Sequence, residues 1–485
     1  MTFEYRNPCG PCVEKKTQPG ADCRCLNLLT NPSFEAGLTG WTASNNVVAG
    51  NELPFEGTQV ANFLTGVAFL FQDVSLEGLC NSPLFLSFNV VSNEQPKFTV
   101  EVIWLDIERD PIGTGLRMFI PPNTTDNPNA SNARVTFFNI TDRPPKEAAY
   151  ARLLFSKAFS EEDSFVSLDQ VVLVPVKTGN LVNNPGFEAS LTDWSGPTFQ
   201  PNFVAPLEGV ADAFTSTGGT LSQDVPIDNQ PANSSYVLSF GAFAQGISVP
   251  LLVRVLWLDQ GGNTIGPPGL NIDLPIGTLG VQDNYLTYLD LTGPAPAGAV
   301  TARILFNPGV TEEDSFFKLD QVILARAGTA NLVENPSFEN GEEGWTFVNA
   351  LVEGSIDSYE GASVAIIDVD GGVIFQDVPL ANAAGHCFLF NCGLKVRRSA
   401  LESAFSDALV KVLWLDDRGR EIGVGLNLVT FGFARLGGAS SQWLVYTGIT
   451  EQAPPGTAAA RIQISKLSGS SAFLEVDKVV FGRLV

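Results

Sequence analysis

The chain has 485 residues, of which 28 are Lys or Arg and 52 are Asp or Glu, giving a formal charge of −24. Such acidity repels phosphate backbones and anionic lipid heads, which argues against nucleic acid and membrane surfaces as partners. One histidine, His386, cannot supply a general base to each of several repeated units, and no uncharged apolar run reaches the ~18 residues of a membrane span.

Residues 1–26 form an arm with Gly and Pro but no apolar periodicity, so it has no packed core of its own. Four of the seven cysteines, Cys9, Cys12, Cys23 and Cys25, crowd into it. Two readings stand: a four-thiolate zinc site, or disulfides within the arm or to a neighbouring chain. The opening Met1-Thr2-Phe3-Glu4-Tyr5-Arg6 lacks a basic stretch followed by an apolar core, so no classical secretory signal is expected. Cys80, Cys387 and Cys392 are scattered. The odd total leaves at least one thiol free or bridging chains, and Cys387 and Cys392 stand too far apart along a strand to bridge each other.

Beyond the arm the chain repeats itself. Asn31-Pro32-Ser33-Phe34-Glu35 with Trp41 returns as Asn184-Pro185-Gly186-Phe187-Glu188 with Trp194, and as Asn335-Pro336-Ser337-Phe338-Glu339 with Trp345. The Phe-to-Trp spacing is constant, and a period near 150 residues is a whole domain rather than a solenoid turn. The expected units are 27–176, 180–325 and 331–485, joined by a few residues and therefore close together. Other landmarks keep their order. Gln72-Asp73-Val74 recurs at Gln223 and Gln376, Trp104-Leu105-Asp106 at Trp257 and Trp414, Ala151-Arg152 at Ala302 and Ala460, and Leu168-Asp169-Gln170 at Leu319 and, more loosely, at Val476.

These landmarks lie on strands. Phe98, Val100, Val102 and Trp104 alternate with Thr99, Glu101 and Ile103, the period-two pattern of a half-buried strand. Turn-rich stretches such as Asp259-Gln260-Gly261-Gly262-Asn263 follow, as in hairpins. No helical stripe occurs. The expected fold is all-β: three tandem antiparallel β-sandwiches behind a short arm.

The Asn-Pro-x-Phe-Glu opening, its Trp, the segments Glu56-Gly57, Glu208-Gly209 and Glu360-Gly361, and the closing Leu-Asp-Gln-Val resemble the jelly-roll carbohydrate-binding modules of the galactose-binding-like group. The likeness covers residues 27–485 three times over. It implies a structural calcium held by Glu35 with Asp169, Glu188 with Asp320, and Glu339 with Asp477, with carbonyls near Gly57, Gly209 and Gly361 as further hard ligands. The bland alternative is that these acids accept backbone amides at the edge of each unit. The Cys-bearing arm ahead of β-sandwiches is similar to subunits of bacterial endospore surface appendages, which cross-link through N-terminal cysteines.

Sugar binding needs exposed Trp or Tyr faces. Six of the seven Trp fall at the two repeated positions and read as core, leaving Trp443, while 34 Phe suit cores and dry interfaces. The acidic runs at Glu161-Glu162-Asp163 and Glu312-Glu313-Asp314 are adjacent acids on one loop, not carboxylates flanking a bond from opposite sides. The resulting expectation is a non-enzymatic subunit of a self-assembling, disulfide-cross-linked fibre at a cell or spore surface. Its sandwiches would stack into a rod and its partners would be copies of itself. The alternative is a carbohydrate-binding adhesin.

Overall fold

The computed structural model describes residues 25–51, 54–126, 134–161, 164–245, 249–279, 285–310, 314–356, 358–397, 406–430, 443–469 and 472–485. All regular structure among them is strand. The strands make six antiparallel sheets, two in each repeat, with no strand shared between repeats. In the first repeat one sheet runs in the order Thr42–Ala43, Ala68–Ser75, Tyr150–Lys157, Phe98–Leu105, Pro111–Ile120. Its mate runs Val47–Gly50, Val60–Phe63, Phe165–Pro175, Leu84–Asn93, Val135–Ile140. The third repeat follows the same order, and the second lacks only the first short strand of the former sheet.

The period-two reading of Phe98–Leu105 holds in detail: Phe98, Val100 and Val102 are sealed, while Thr99, Glu101 and Ile103 are half-buried. Both sheets turn apolar faces inward, and one cluster joins Phe63, Leu70, Phe88, Phe98, Trp104 and Phe155 between them. Stripped of water, such faces supply most of the favourable folding free energy.

The repeated polar landmarks hold this frame together. The side chain of Gln72 accepts from Thr30 N–H at 2.7 Å and donates to Thr30 C=O at 3.0 Å, as an extra peptide would. Gln223 treats Asn183 alike, and Gln376 does the same for Glu334. Asp73 takes a two-pronged bond from Arg152 at 2.6 and 2.9 Å across adjacent strands, repeated by Asp224 with Arg303 and Asp377 with Arg461. The Asp of each Trp-Leu-Asp caps its hairpin, Asp106 accepting from Asp110 N–H at 2.9 Å.

The opening motif is a tight loop. Asn31 and Phe34 sit in the left-handed region at φ 52° and 60°. The Asn31 amide spans the loop, accepting from Ala36 N–H and donating to Gly37 C=O, as Asx side chains do in turns. Phe34 is sealed in the core with its ring 5.4 Å from Trp41. Trp41 Nε1 donates back to Asn31 C=O at 3.1 Å. The second and third repeats have the same Phe–Trp contacts and the same Nε1 bonds.

The expected rod is not what forms, because the first and third repeats touch. The Glu-Gly loop of each repeat docks on the neighbour's Pro111–Ile120 strand or its counterpart. Gly209 N–H donates to Phe119 C=O at 2.7 Å, Gly361 N–H to Asp273 C=O at 2.7 Å, and Gly57 N–H to Val429 C=O at 2.8 Å. The three contacts are equivalent and cyclic: second on first, third on second, first on third. The residue before each Glu enters the seam. Phe55 stacks on Tyr446 at 4.0 Å, Tyr359 on Tyr288 at 5.4 Å, and Leu207 joins the first repeat's core. Where the strands Val135–Ile140, Leu286–Leu291 and Leu444–Ile449 meet, Thr287 Oγ1 donates to Thr136 C=O and Thr136 Oγ1 to Val445 C=O at 3.0 Å. A rod would leave one loop face and one strand face in water; the ring buries all of them.

A disulfide between Cys25 and Cys387, 362 residues apart in sequence, fastens the third repeat to the start of the first. Cys25 was grouped by sequence with Cys9, Cys12 and Cys23 for zinc or links to other chains; it is instead spent within the chain. Cys9, Cys12 and Cys23 lie outside the described residues. Cys80 is an exposed thiol and Cys392 a buried one.

Candidate functional site

The loop that makes each seam also gathers the acids singled out from sequence. Glu35 Oε1 accepts from Thr58 and Gln59 N–H, both at 2.7 Å, and Oε2 accepts from Thr58 Oγ1 at 3.0 Å. Glu188 receives Val210 and Ala211 N–H, and Glu339 receives Ala362 and Ser363 N–H. Each carboxylate lies directly over the loop glycine. A Cβ on Gly57 would stand 2.3 Å from Glu35 Oε1, one on Gly209 2.1 Å from Glu188 Oε1, and one on Gly361 2.4 Å from Glu339 Oε1. These glycines have φ of 63°, 75° and 70°, where a side chain is strained in any case. The Glu of the opening motif and the Gly of the loop are therefore two halves of one contact.

The paired aspartates are sealed beneath. Asp169 Oδ2 accepts from Phe55 and Glu56 N–H at 2.6 and 3.0 Å, and Oδ1 from Gln170 N–H at 2.7 Å. Asp320 accepts from Glu208 and Gln321 N–H, and Asp477 from Tyr359, Glu360 and Lys478 N–H. The structure thus brings Glu35, Glu188 and Glu339 onto the same loops as Asp169, Asp320 and Asp477, with N–H donors on the oxygens of both sets. Among the described residues no group of three or more His, Cys, Asp or Glu is arranged to hold a metal ion.

Sequence reading passed over the Glu that precedes each glycine. Glu56, Glu208 and Glu360 are largely buried at the seams, and their fates differ. Burial, with the charges of Asp169 and Glu35 adding to it, pushes Glu56 up to about 8 despite a bond from Ser33. Burial pushes Asp169 up to about 6 and Glu208 up to about 7. At the seam between second and third repeats a cation answers the problem: Lys478 Nζ lies 2.8 Å from Glu360 and 2.6 Å from Asp290 of the neighbouring repeat. Lys478 replaces the Gln170 and Gln321 of the other repeats. A local kink aims all three inward, with φ of 48°, 53° and 49° beside a register shift in the pairing. Between first and third repeats the Lys478 position is Gln170 and the Asp290 position is Gly448. A cavity of about 100 Å³ remains there, lined by Ser33, Glu56, Gln170, Asn427 and Gly448 among others.

No tryptophan offers a sugar platform. All seven are buried, between 1% and 8% exposed, and Trp443, left over by the repeat, packs against Tyr359 and beneath Lys395 Nζ. Tyr236, Tyr285, Tyr288, Tyr359 and Tyr446 are buried as well. Glu162, Asp163, Glu312 and Glu313 of the acidic runs lie outside the described residues.

No protein-family model matches the chain, and no curated protein does. Among solved structures, similarity is found to a tandem pair of family 22 carbohydrate-binding modules from Paenibacillus barcinonensis Xyn10C. The identity is 14% over 63% of this chain and 100% of that one, with a TM-score of 0.26. A family 61 module solved with β-1,4-galactotriose has 15% identity over 32% of this chain and 99% of its own, with a TM-score of 0.24. The active domain of a tailspike protein from bacteriophage CBA120 has 15% identity over 32% of this chain and 21% of its own, with a TM-score of 0.25. Scores this low carry no functional argument, and the fold stands on its own strand pairings.

Proposed function

We propose that this chain is a non-enzymatic structural subunit: a closed three-sandwich block that joins copies of itself through Cys9, Cys12 and Cys23 in a disulfide-linked surface fibre. The observation that carries this reading is where the repeated motifs go. The Asn-Pro-x-Phe-Glu loop, the Gln-Asp and Ala-Arg pairs and the Glu-Gly loop all hold a sandwich together or fasten it to the next. An internal disulfide suits a protein that works in an oxidising environment. The test is non-reducing electrophoresis and microscopy of oxidised full-length protein. Covalent ladders and filaments that vanish on Cys9→Ser, Cys12→Ser and Cys23→Ser substitution support the reading; monomers alone overturn it.

Carbohydrate binding, the second reading, has no exposed Trp among the described residues to recommend it. Calcium at Glu35 with Asp169 and their counterparts is a separate proposal drawn from the resemblance, and it requires the ion to displace the N–H donors now on those oxygens. Melting with calcium against chelator tests it: a rise of several degrees supports it and no change removes it.

A further inference from the structure

We infer that the seam between the first and third repeats is a releasable joint, and that when Cys25–Cys387 opens, its two faces pair with the same faces of a second copy of this chain. Each repeat carries a donor face, the Glu-Gly loop with Phe55, Leu207 or Tyr359, and an acceptor face on the strand of Phe119, Asp273 or Val429. An opened chain keeps two seams and exposes one donor face on its first repeat and one acceptor face on its third. Those faces are complementary between copies, so a second copy fits them by the same bonds that close the ring; exchange of identical elements is a low-cost route to oligomers.

This seam is also the one built to part. The other two are spanned by short peptide joints, at 177–179 and 326–330. Among the described residues, the direct covalent link between the first and third repeats is Cys25–Cys387. Their seam also lacks the ion pair of the seam between second and third repeats. Lys478 ties Asp290 to Glu360 at the seam of second and third repeats, whereas Gln170 and Gly448 stand beside Glu56 and a cavity of about 100 Å³ here.

The covalent exchange balances without an oxidant. The thiolate of a small-molecule thiol attacks the disulfide, leaving a mixed disulfide on Cys25 and a thiolate on Cys387. The Cys387 thiolate of one copy then attacks the mixed disulfide of another and expels the small thiol, so one S–S bond forms for each one broken. Closure within a chain competes at an effective concentration on the order of millimolar, so pairing between copies grows with protein concentration.

Full-length protein with Cys9→Ser, Cys12→Ser, Cys23→Ser and Cys80→Ser tests this independently of the arm; burial holds the remaining Cys392 thiol protonated, far above its usual range. Tagged and untagged preparations are mixed at roughly millimolar concentration with a small-molecule thiol, alkylated, and captured by the tag under denaturing, non-reducing conditions. The untagged chain is expected in a band of dimer mass, falling at least tenfold on hundredfold dilution and absent without the thiol. Adding Gln170→Lys with Gly448→Asp, which transplants the ion pair of the other seam, is expected to slow the rise of the captured band severalfold without changing its final level, because the pair forms equally within and between copies. A Cys25→Ser variant in light scattering provides a second readout, with dimer expected to grow with concentration. No captured chain at any concentration, or a Cys25→Ser variant that stays monomeric throughout, overturns the proposal.

Discussion

Replacing Glu56 by Gln tests whether the seam of first and third repeats carries an electrostatic penalty. Glu56 titrates at about 8 in the fold against an ordinary 4.5. The native state therefore holds a proton that the unfolded chain releases between those values. The unfolded state binds fewer protons across this window, so stability is greatest below about pH 4.5 and falls as pH rises towards 8. At about 1.4 kcal/mol per pH unit the loss is on the order of 5 kcal/mol at most, and part of Glu56 faces the seam cavity, which lowers it. For a unit of this size that is a drop of roughly 10 °C in the first unfolding transition. The assay is calorimetry in chelator at pH 5 and pH 8.5. The wild type is expected to melt several degrees lower at pH 8.5, and Glu56→Gln to remove the largest single share of that difference while matching wild type near pH 5, with Asp169 and Glu208, which are also raised, keeping the rest. A flat wild-type profile, or a variant that keeps the whole slope, refutes the reasoning.

Three further outcomes follow from the seams and loops. Gly57→Ala drives a methyl against the Glu35 carboxylate at a φ of 63° and is expected to cost roughly 2–4 kcal/mol, read as a lower unfolding midpoint in urea. Lys478→Met leaves Asp290 and Glu360 buried without their cation and should cost about 3–5 kcal/mol, whereas Arg303→Ala, at the more exposed pair with Asp224, should cost no more than about 1 kcal/mol. Since every Trp is buried, soluble β-glycans should leave tryptophan emission unchanged; a saturable shift would restore the adhesin reading.

What the sequence reveals and what it conceals divide along contact range. Phe34 and Trp41 meet through a spacing of seven residues, and Phe98 to Trp104 announce their strand by alternation, so core and strand can be read from local pattern. Glu35 and Gly57 are 22 positions apart and recur together three times, yet nothing local says that one lies over the other. The ring is further from reach, since it depends on Gly57 meeting Val429 and Phe55 meeting Tyr446. Only one signal pointed there. The last-strand motif departs from its pattern at Lys478, and the partner that explains the departure, Asp290, lies in another repeat. Cys25 misled because its three arm neighbours are close in sequence while Cys387 is 362 residues away.

Single-particle electron microscopy of the oxidised full-length monomer tests the cyclic arrangement most directly. Compact three-lobed particles in which every lobe touches both others are expected. Three lobes strung in a line, with the first and third apart, would contradict it.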